Sequence, residues 1–142
     1  MIIAVDFDGT IVEHRYPSIG KPIPFAFDTL KQLQNENHQL ILWTVREGDL
    51  LQEAIDYCES RGLCFFAYNA NFPEEDPLTA GRKLRADLFI DDRNFGGLQD
   101  WGLLYQAIKN KQTHKLVFQE NFLSERNRNS KKGIRSFFFG IL

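Results

Sequence analysis

Residues 2–10 read IIAVDFDGT: four apolar, mostly β-branched residues that give way at once to Asp6, Phe7, Asp8, Gly9 and Thr10. A short, continuous apolar run closed by a glycine-containing turn is the pattern of a strand covered on both faces, as in a parallel sheet. Acids directly after such a strand stand at its carboxyl end, where open parallel sheets form their ligand crevices.

The same alternation continues along the chain. Pro22 and Pro24 introduce a helix with Ala26, Leu30 and Leu33 on one stripe, ending near His38. Residues 39–44 (QLILWT) read as a second strand. Residues 47–60 form a helix with Leu50, Leu51, Ala54, Ile55 and Cys58 on one face and Gly62 placed to stop it. Residues 64–68 give a third strand, 69–80 a surface loop with two prolines, and 88–90 (LFI) a fourth strand. A turn at 94–97, a helix at 98–108 and a fifth strand at 115–118 complete the pattern. It predicts an α/β fold: a doubly wound, parallel, five-stranded Rossmann-like sheet with helices on both faces.

At 142 residues, 43% hydrophobic and 25% charged, the chain has material for one sizeable core and not for two. The expected division is a domain over 1–125 and a basic, aromatic tail over 126–142. No stretch approaches the roughly 18–20 apolar residues of a membrane span. The sequence opens directly on its first strand, without a basic leader or cleavage site, so a cytoplasmic protein with no membrane partner is expected. Cys58 and Cys64 lack CxxC spacing and a histidine pair, and read as reduced structural thiols.

Charge is uneven. The tail holds Arg126, Arg128, Lys131, Lys132 and Arg135 with no acid, while the remaining 12 basic residues face 19 acidic ones, a balance of −7. A body that acidic argues against a nucleic-acid partner. Phe137, Phe138 and Phe139 are too apolar to stay in water, so the FFFGIL end is expected to dock either on the body or on another copy of the chain, the second of which gives a homo-oligomer.

Three polar clusters fall at predicted strand ends: Asp6 and Asp8 after the first, Thr44, Val45 and Arg46 after the second, and Asp91 and Asp92 after the fourth, with Lys83 shortly before it. A lone aspartate there is ordinarily a cap or turn residue. Four that converge, as they do if the first and fourth strands are neighbours, repel one another unless a cation neutralises them. An all-oxygen donor set favours Mg²⁺. Magnesium beside an aspartate points to phosphoryl transfer, with the carboxylate attacking phosphorus. Thr44 then offers a hydroxyl and an N–H to the phosphate, Lys83 and Arg46 offer positive charge, and Gly9 permits close approach of the backbone.

DFDGT, then LWTVR, then RKLRADLFIDD resembles the haloacid dehalogenase (HAD) superfamily, whose phosphatases carry DxDGT, a threonine after strand two, a lysine and a paired-acid motif after strand four. The resemblance covers the chain to about residue 108. It implies a HAD-like phosphatase domain in which Asp6 is the nucleophile that becomes an aspartyl phosphate and Asp8 the general acid and base. It also implies Mg²⁺ on Asp6, the Asp8 carbonyl and Asp92, with Asp91 nearby or acting through water, and Thr44 and Lys83 on the transferred phosphoryl group. Dehalogenases of the superfamily lack the second aspartate, so Asp8 argues for phosphate chemistry. Neither the 14–20 segment nor the 72–79 loop has room for a cap domain, which resembles the capless branch.

The expected partner is a phosphorylated substrate: a sugar phosphate, a nucleotide or a phosphorylated macromolecule. His14, Arg15, Arg46, Asn69 and Asn71 are the groups placed to reach beyond the phosphate. Trp43 reads as packing. Two rivals are a receiver-like switch, which would need an acid after the third strand where Tyr68, Asn69 and Ala70 stand, and a phosphate-binding protein without turnover.

Overall fold

The computed structural model describes residues 1–76, 79, 81 and 83–111. Its elements are β1 (Ile2–Val5), α1 (Ala26–Asn35), β2 (Gln39–Leu42), α2 (Gly48–Ser60), β3 (Ala67–Tyr68), β4 (Leu88–Ile90) and α3 (Trp101–Lys109). All four strands are parallel, in the order β3-β2-β1-β4. The chain steps outward from β1 to β2 to β3 and then returns to lay β4 on the other side of β1. The strand order therefore reverses between β1 and β4, and the crevice of an open α/β sheet opens at such a reversal.

The predicted α/β class with a parallel sheet stands. The sheet has four strands among the described residues where five are expected; the fifth, at 115–118, lies outside them, as does the 126–142 tail with its docking aromatics. Two compact units divide the chain, Met1–Gly102 and Leu103–Leu142. The first holds the whole sheet, α1, α2 and the start of α3. The described part of the second is the remainder of α3 and the two residues after it. Among the described residues no helix is long and apolar enough to cross a membrane.

The core of the first unit follows the apolar pattern. Ile3, Ala4 and Val5 of β1 and Leu40, Ile41 and Leu42 of β2 are buried, as strands covered on both faces must be. Leu30 and Leu33 of α1 and Ala54 and Cys58 of α2 are buried with them. Trp43 meets Phe89 edge-on at 5.0 Å, in the packing role expected of it.

Both helices end in the same way. After α2 the N–H groups of Gly62 and Leu63 bond back to the carbonyls of Glu59 and Cys58, with Gly62 at φ +77°. After α1 the N–H groups of Asn37 and His38 bond back to Gln34 and Leu33, with Asn37 at φ +64°. These are Schellman stops, which require a left-handed residue. Asn37 ends α1 three residues before the expected His38, because asparagine adopts that conformation more readily than other side chains. The strands are shorter than expected for a related reason. β3 begins at Ala67, since the Cys64 carbonyl is taken by the Gln34 side chain. β2 stops at Leu42 because the Thr44 N–H turns to the Asn69 side chain.

Ile41 pairs with Ala4 on one side and Ala67 on the other, and belongs to a buried cluster with both. Ile41→Ala is expected to lower the unfolding free energy in urea by about 3 kcal/mol, the usual cost of a cavity at a strand centre.

Candidate active site

The site is built where β1 and β4 end side by side. Val5 pairs with Ile90, and the Asp6 N–H continues the ladder to the Ile90 carbonyl at 2.9 Å. Asp6 and Asp91 are thus the first residues beyond two adjacent parallel strands. Asp6, Asp91 and Asp92 each offer a carboxylate oxygen, all within 4.8 Å of one another.

After Asp6 the chain turns tightly, with the Phe7 carbonyl accepting from the N–H groups of Thr10, Ile11 and Val12. The turn depends on Gly9 at φ +87°. A Cβ there would lie 2.3 Å from Asp92 Oδ2 and 2.7 Å from its Cγ, so glycine is what lets the two loops touch. Thr10 joins the same loops from below. Its hydroxyl donates to Asp6 Oδ2 at 3.1 Å and accepts from the Asp92 N–H at 3.0 Å, while its carbonyl accepts from Trp101 Nε1 at 3.1 Å. Thr10 is fully buried, and no role was assigned to it from the sequence. Threonine after DxDG could have signalled it only if the adjacency of β1 and β4 were already known.

The electrostatics match this crowding. Burial, reinforced by the charges of Asp91 and Asp92, pushes the Asp6 carboxyl up to about 7 from an ordinary 3.8, against the opposing hydrogen bonds from the Phe7 backbone and Thr10. Asp92 is also raised, by burial first and then by its hydrogen bond and charge contact with Asp91. One oxygen, Asp92 Oδ1, is buried without a hydrogen-bond partner. A cation would fit all three: the crowded carboxylates, their raised protonation and the orphaned buried oxygen. The donors are all oxygen, so the residues present fit a hard divalent ion.

A cavity of about 210 Å³ opens over these acids, lined by Asp6, Asp8, His14, Tyr16, Val45, Asp91 and Arg93. Thr44 stands just beyond β2, next to the cavity-lining Val45. It is half-buried, its N–H is held by Asn69 Oδ1 at 2.8 Å, and its hydroxyl oxygen accepts from the Arg46 N–H at 3.2 Å, leaving the hydroxyl proton free to donate. Its N–H, however, is already engaged and does not serve a phosphate as expected. Asn69, at φ +51°, braces the β2 loop through Thr44 and the Arg46 carbonyl. Asn71 is likewise structural, bonded to Glu75 and to the Arg85 N–H. Neither asparagine is the substrate-reaching group expected. Arg15 is exposed and does not line the cavity, whereas His14 does.

Two cations depart from expectation. Arg46 does not face a phosphate: its guanidinium is fully buried and paired with both oxygens of Asp8. Lys83 does not stand beside Asp6. It is exposed, with Nζ 5.5 Å from the centre of the Phe89 ring, and is not among the residues lining the cavity. Tyr16, Val45 and Arg93 line the cavity as well. They lie on three separate loops, and nothing local in the sequence marks them.

A solved structure of a conserved protein from Bacteroides thetaiotaomicron is similar to this chain, at 62% sequence identity and a TM-score of 0.78. The match covers 83% of this chain and 97% of that one. No protein-family model and no curated protein matches.

Because the folded state keeps a proton on Asp6 that the unfolded chain releases near 3.8, the metal-free protein loses stability as pH rises from about 4 to about 7. Urea unfolding in EDTA at pH 5 and pH 8 measures this slope. Asp6→Asn is expected to flatten it, stabilising the metal-free protein at pH 8 by about 2 kcal/mol. Gly9→Ala, which meets Asp92 and adopts a left-handed backbone, is expected to cost about 2–4 kcal/mol in the same assay.

Proposed function

We propose that this chain, which belongs to the same family as the conserved Bacteroides thetaiotaomicron protein, is a Mg²⁺-dependent phosphomonoester hydrolase of the haloacid dehalogenase type, capless branch. The observation that carries the reading is the triplet Asp6, Asp91 and Asp92, converging at the strand reversal with Asp92 Oδ1 buried and unpartnered. Asp6, Asp92 and the Asp8 carbonyl would hold the ion, with Asp91 beside it. Bound there, Mg²⁺ neutralises the carboxylates and the phosphoryl oxygens.

The residues of the chain divide the chemistry. Asp6 has Oδ2 tied to Thr10, which leaves Oδ1 as the nucleophile. Its attack on phosphorus breaks the bond to the leaving oxygen, which takes a proton from Asp8, and an aspartyl phosphate forms on Asp6. Asp8 then removes a proton from water, the water attacks phosphorus, and inorganic phosphate departs with Asp6 regenerated. The Thr44 hydroxyl is free to donate to a phosphoryl oxygen during both steps. Lys83 takes no part in this arrangement while its ammonium rests over Phe89.

Among the described residues no helix or named strand lies between β1 and α1 or between β3 and β4, and the residues lining the cavity come from the strand-end loops. His14 and Tyr16 from one loop, Val45 from a second and Arg93 from a third are the groups a leaving group would meet. That lining suits a phosphorylated macromolecule, a nucleotide or a sugar phosphate.

Phosphate release from a panel of sugar phosphates, nucleotides, phosphopeptides and phosphorylated oligonucleotides tests the reading. Turnover is expected with Mg²⁺, lost with EDTA, and lowered at least about a thousandfold by Asp6→Asn. Turnover that survives both treatments, or none on any substrate, would overturn it.

A further inference from the structure

We infer that Arg46 is the positioning residue of Asp8: it holds the general acid and base in one orientation beside Asp6 and is not a ligand of the substrate. The inference rests on the phosphatase reading of the site.

The geometry is that of a clamp. Arg46 Nε donates to Asp8 Oδ2 at 2.7 Å and Nη2 donates to Asp8 Oδ1 at 2.7 Å, a two-pronged pair in which both side chains are buried. Nη1 donates to the Pro17 carbonyl at 2.9 Å and Nη2 also to the Ser18 carbonyl at 3.0 Å. Of the five guanidinium N–H groups, these bonds use four. Its central carbon also lies 5.2 Å from the centre of the Phe7 ring and 5.3 Å from that of Tyr16. The backbone of Arg46 is fixed as well, through the Thr44 hydroxyl and the Asn69 side chain. Arg46 is therefore tied at both its backbone and its guanidinium, and through the paired bonds it fixes the orientation of Asp8.

Asp8 nonetheless lines the cavity with Asp6. An ionised carboxylate has about four lone-pair sites, and the clamp occupies two, so each oxygen keeps one for a proton in transit. A planar fork can impose that orientation on a carboxylate; an ammonium, as a point charge on a flexible stem, cannot. Stability does not account for the pair, because a buried ion pair is commonly no more stabilising than apolar residues of the same volume. The clamp also draws three segments together: the turn after β1, the 14–20 loop that carries His14 and Tyr16, and the loop after β2 that carries Thr44.

The consequence is selective. Steps that need Asp8 depend on Arg46, and expulsion of a leaving group that requires no proton depends on it far less. The test compares kcat/KM on phenyl phosphate, whose leaving group needs protonation, with 2,4-dinitrophenyl phosphate, whose leaving group does not, using full-length protein with Mg²⁺. Arg46→Lys is expected to lose at least about tenfold more on phenyl phosphate, a part of the 10²–10⁴ that general acid catalysis supplies. In an Asp8→Asn background the same substitution should add no further discrimination between the two.

An equal loss on both substrates marks a merely structural role and overturns the assignment of Arg46 while leaving the phosphatase reading intact. Absence of Asp6-dependent turnover in the wild type overturns both together. Should Arg46→Lys fail to fold, by circular dichroism, the wild type and Asp8→Asn are compared by NMR with ¹⁵N-labelled arginine. A slowly exchanging Arg46 Nε–H that becomes faster in Asp8→Asn is expected; the same exchange in both would overturn the clamp.

Discussion

Crowding of negative charge at the ends of β1 and β4 is the constraint on which the rest of this site depends. Two unit charges about 4 Å apart repel by about 4 kcal/mol near a protein surface, and here three carboxylates share such a space. The surrounding contacts hold the acids in place, and the nearby Arg93 and His14 offset only part of the charge on Asp92. Thr10 ties Asp6 to the backbone of Asp92, Gly9 leaves room for the Asp92 carboxylate, and Trp101 anchors Thr10 from beneath. The price of that arrangement appears as the raised Asp6 carboxyl and the partnerless Asp92 Oδ1. Such a cluster is relieved when a cation neutralises it, which is the physical basis of the metal-dependent reading proposed for the site.

The other half of the site is organised by hydrogen bonds between loops. β2 and β3 end next to each other, and Asn69, just beyond β3, reaches across to the Thr44 N–H and the Arg46 carbonyl. That brace sets the direction of the chain after Leu42, presents the Thr44 hydroxyl and turns Arg46 inward. Arg46 in turn reaches Asp8, so the ends of three parallel strands are mechanically linked through side chains rather than through the sheet alone. Loops positioned in this way by a rigid sheet can hold functional groups in fixed relation to one another.

Much of this was readable from residue order. The run 2–5, the amphipathic helix that Gly62 stops and the strand at 88–90 all lie where period and punctuation put them, because burial on both faces and helical periodicity are local properties of composition. Element ends were less legible. Asn37 stopped α1 early through a left-handed backbone, and the Gln34 and Asn69 side chains captured the backbone groups that would have extended β3 and β2. These captures join residues 25–30 positions apart. No window along the chain contains both partners.

The division is clearest at the charged residues. By itself the sequence determined the α/β class, the placement of Asp6, Asp8, Thr44, Asp91 and Asp92 at strand ends, and the oxygen-only character of the donor set, all of which follow from spacing and side-chain chemistry. Tertiary structure alone decided which charges meet. Arg46 and Lys83 were equivalent as cations expected at the phosphate, yet one is buried against Asp8 and the other lies over Phe89 outside the cavity. Charge is a property of a residue, whereas pairing is a property of distance. Distance between residues 38 positions apart, as Asp8 and Arg46 are, exists only once the sheet has set the strand ends side by side.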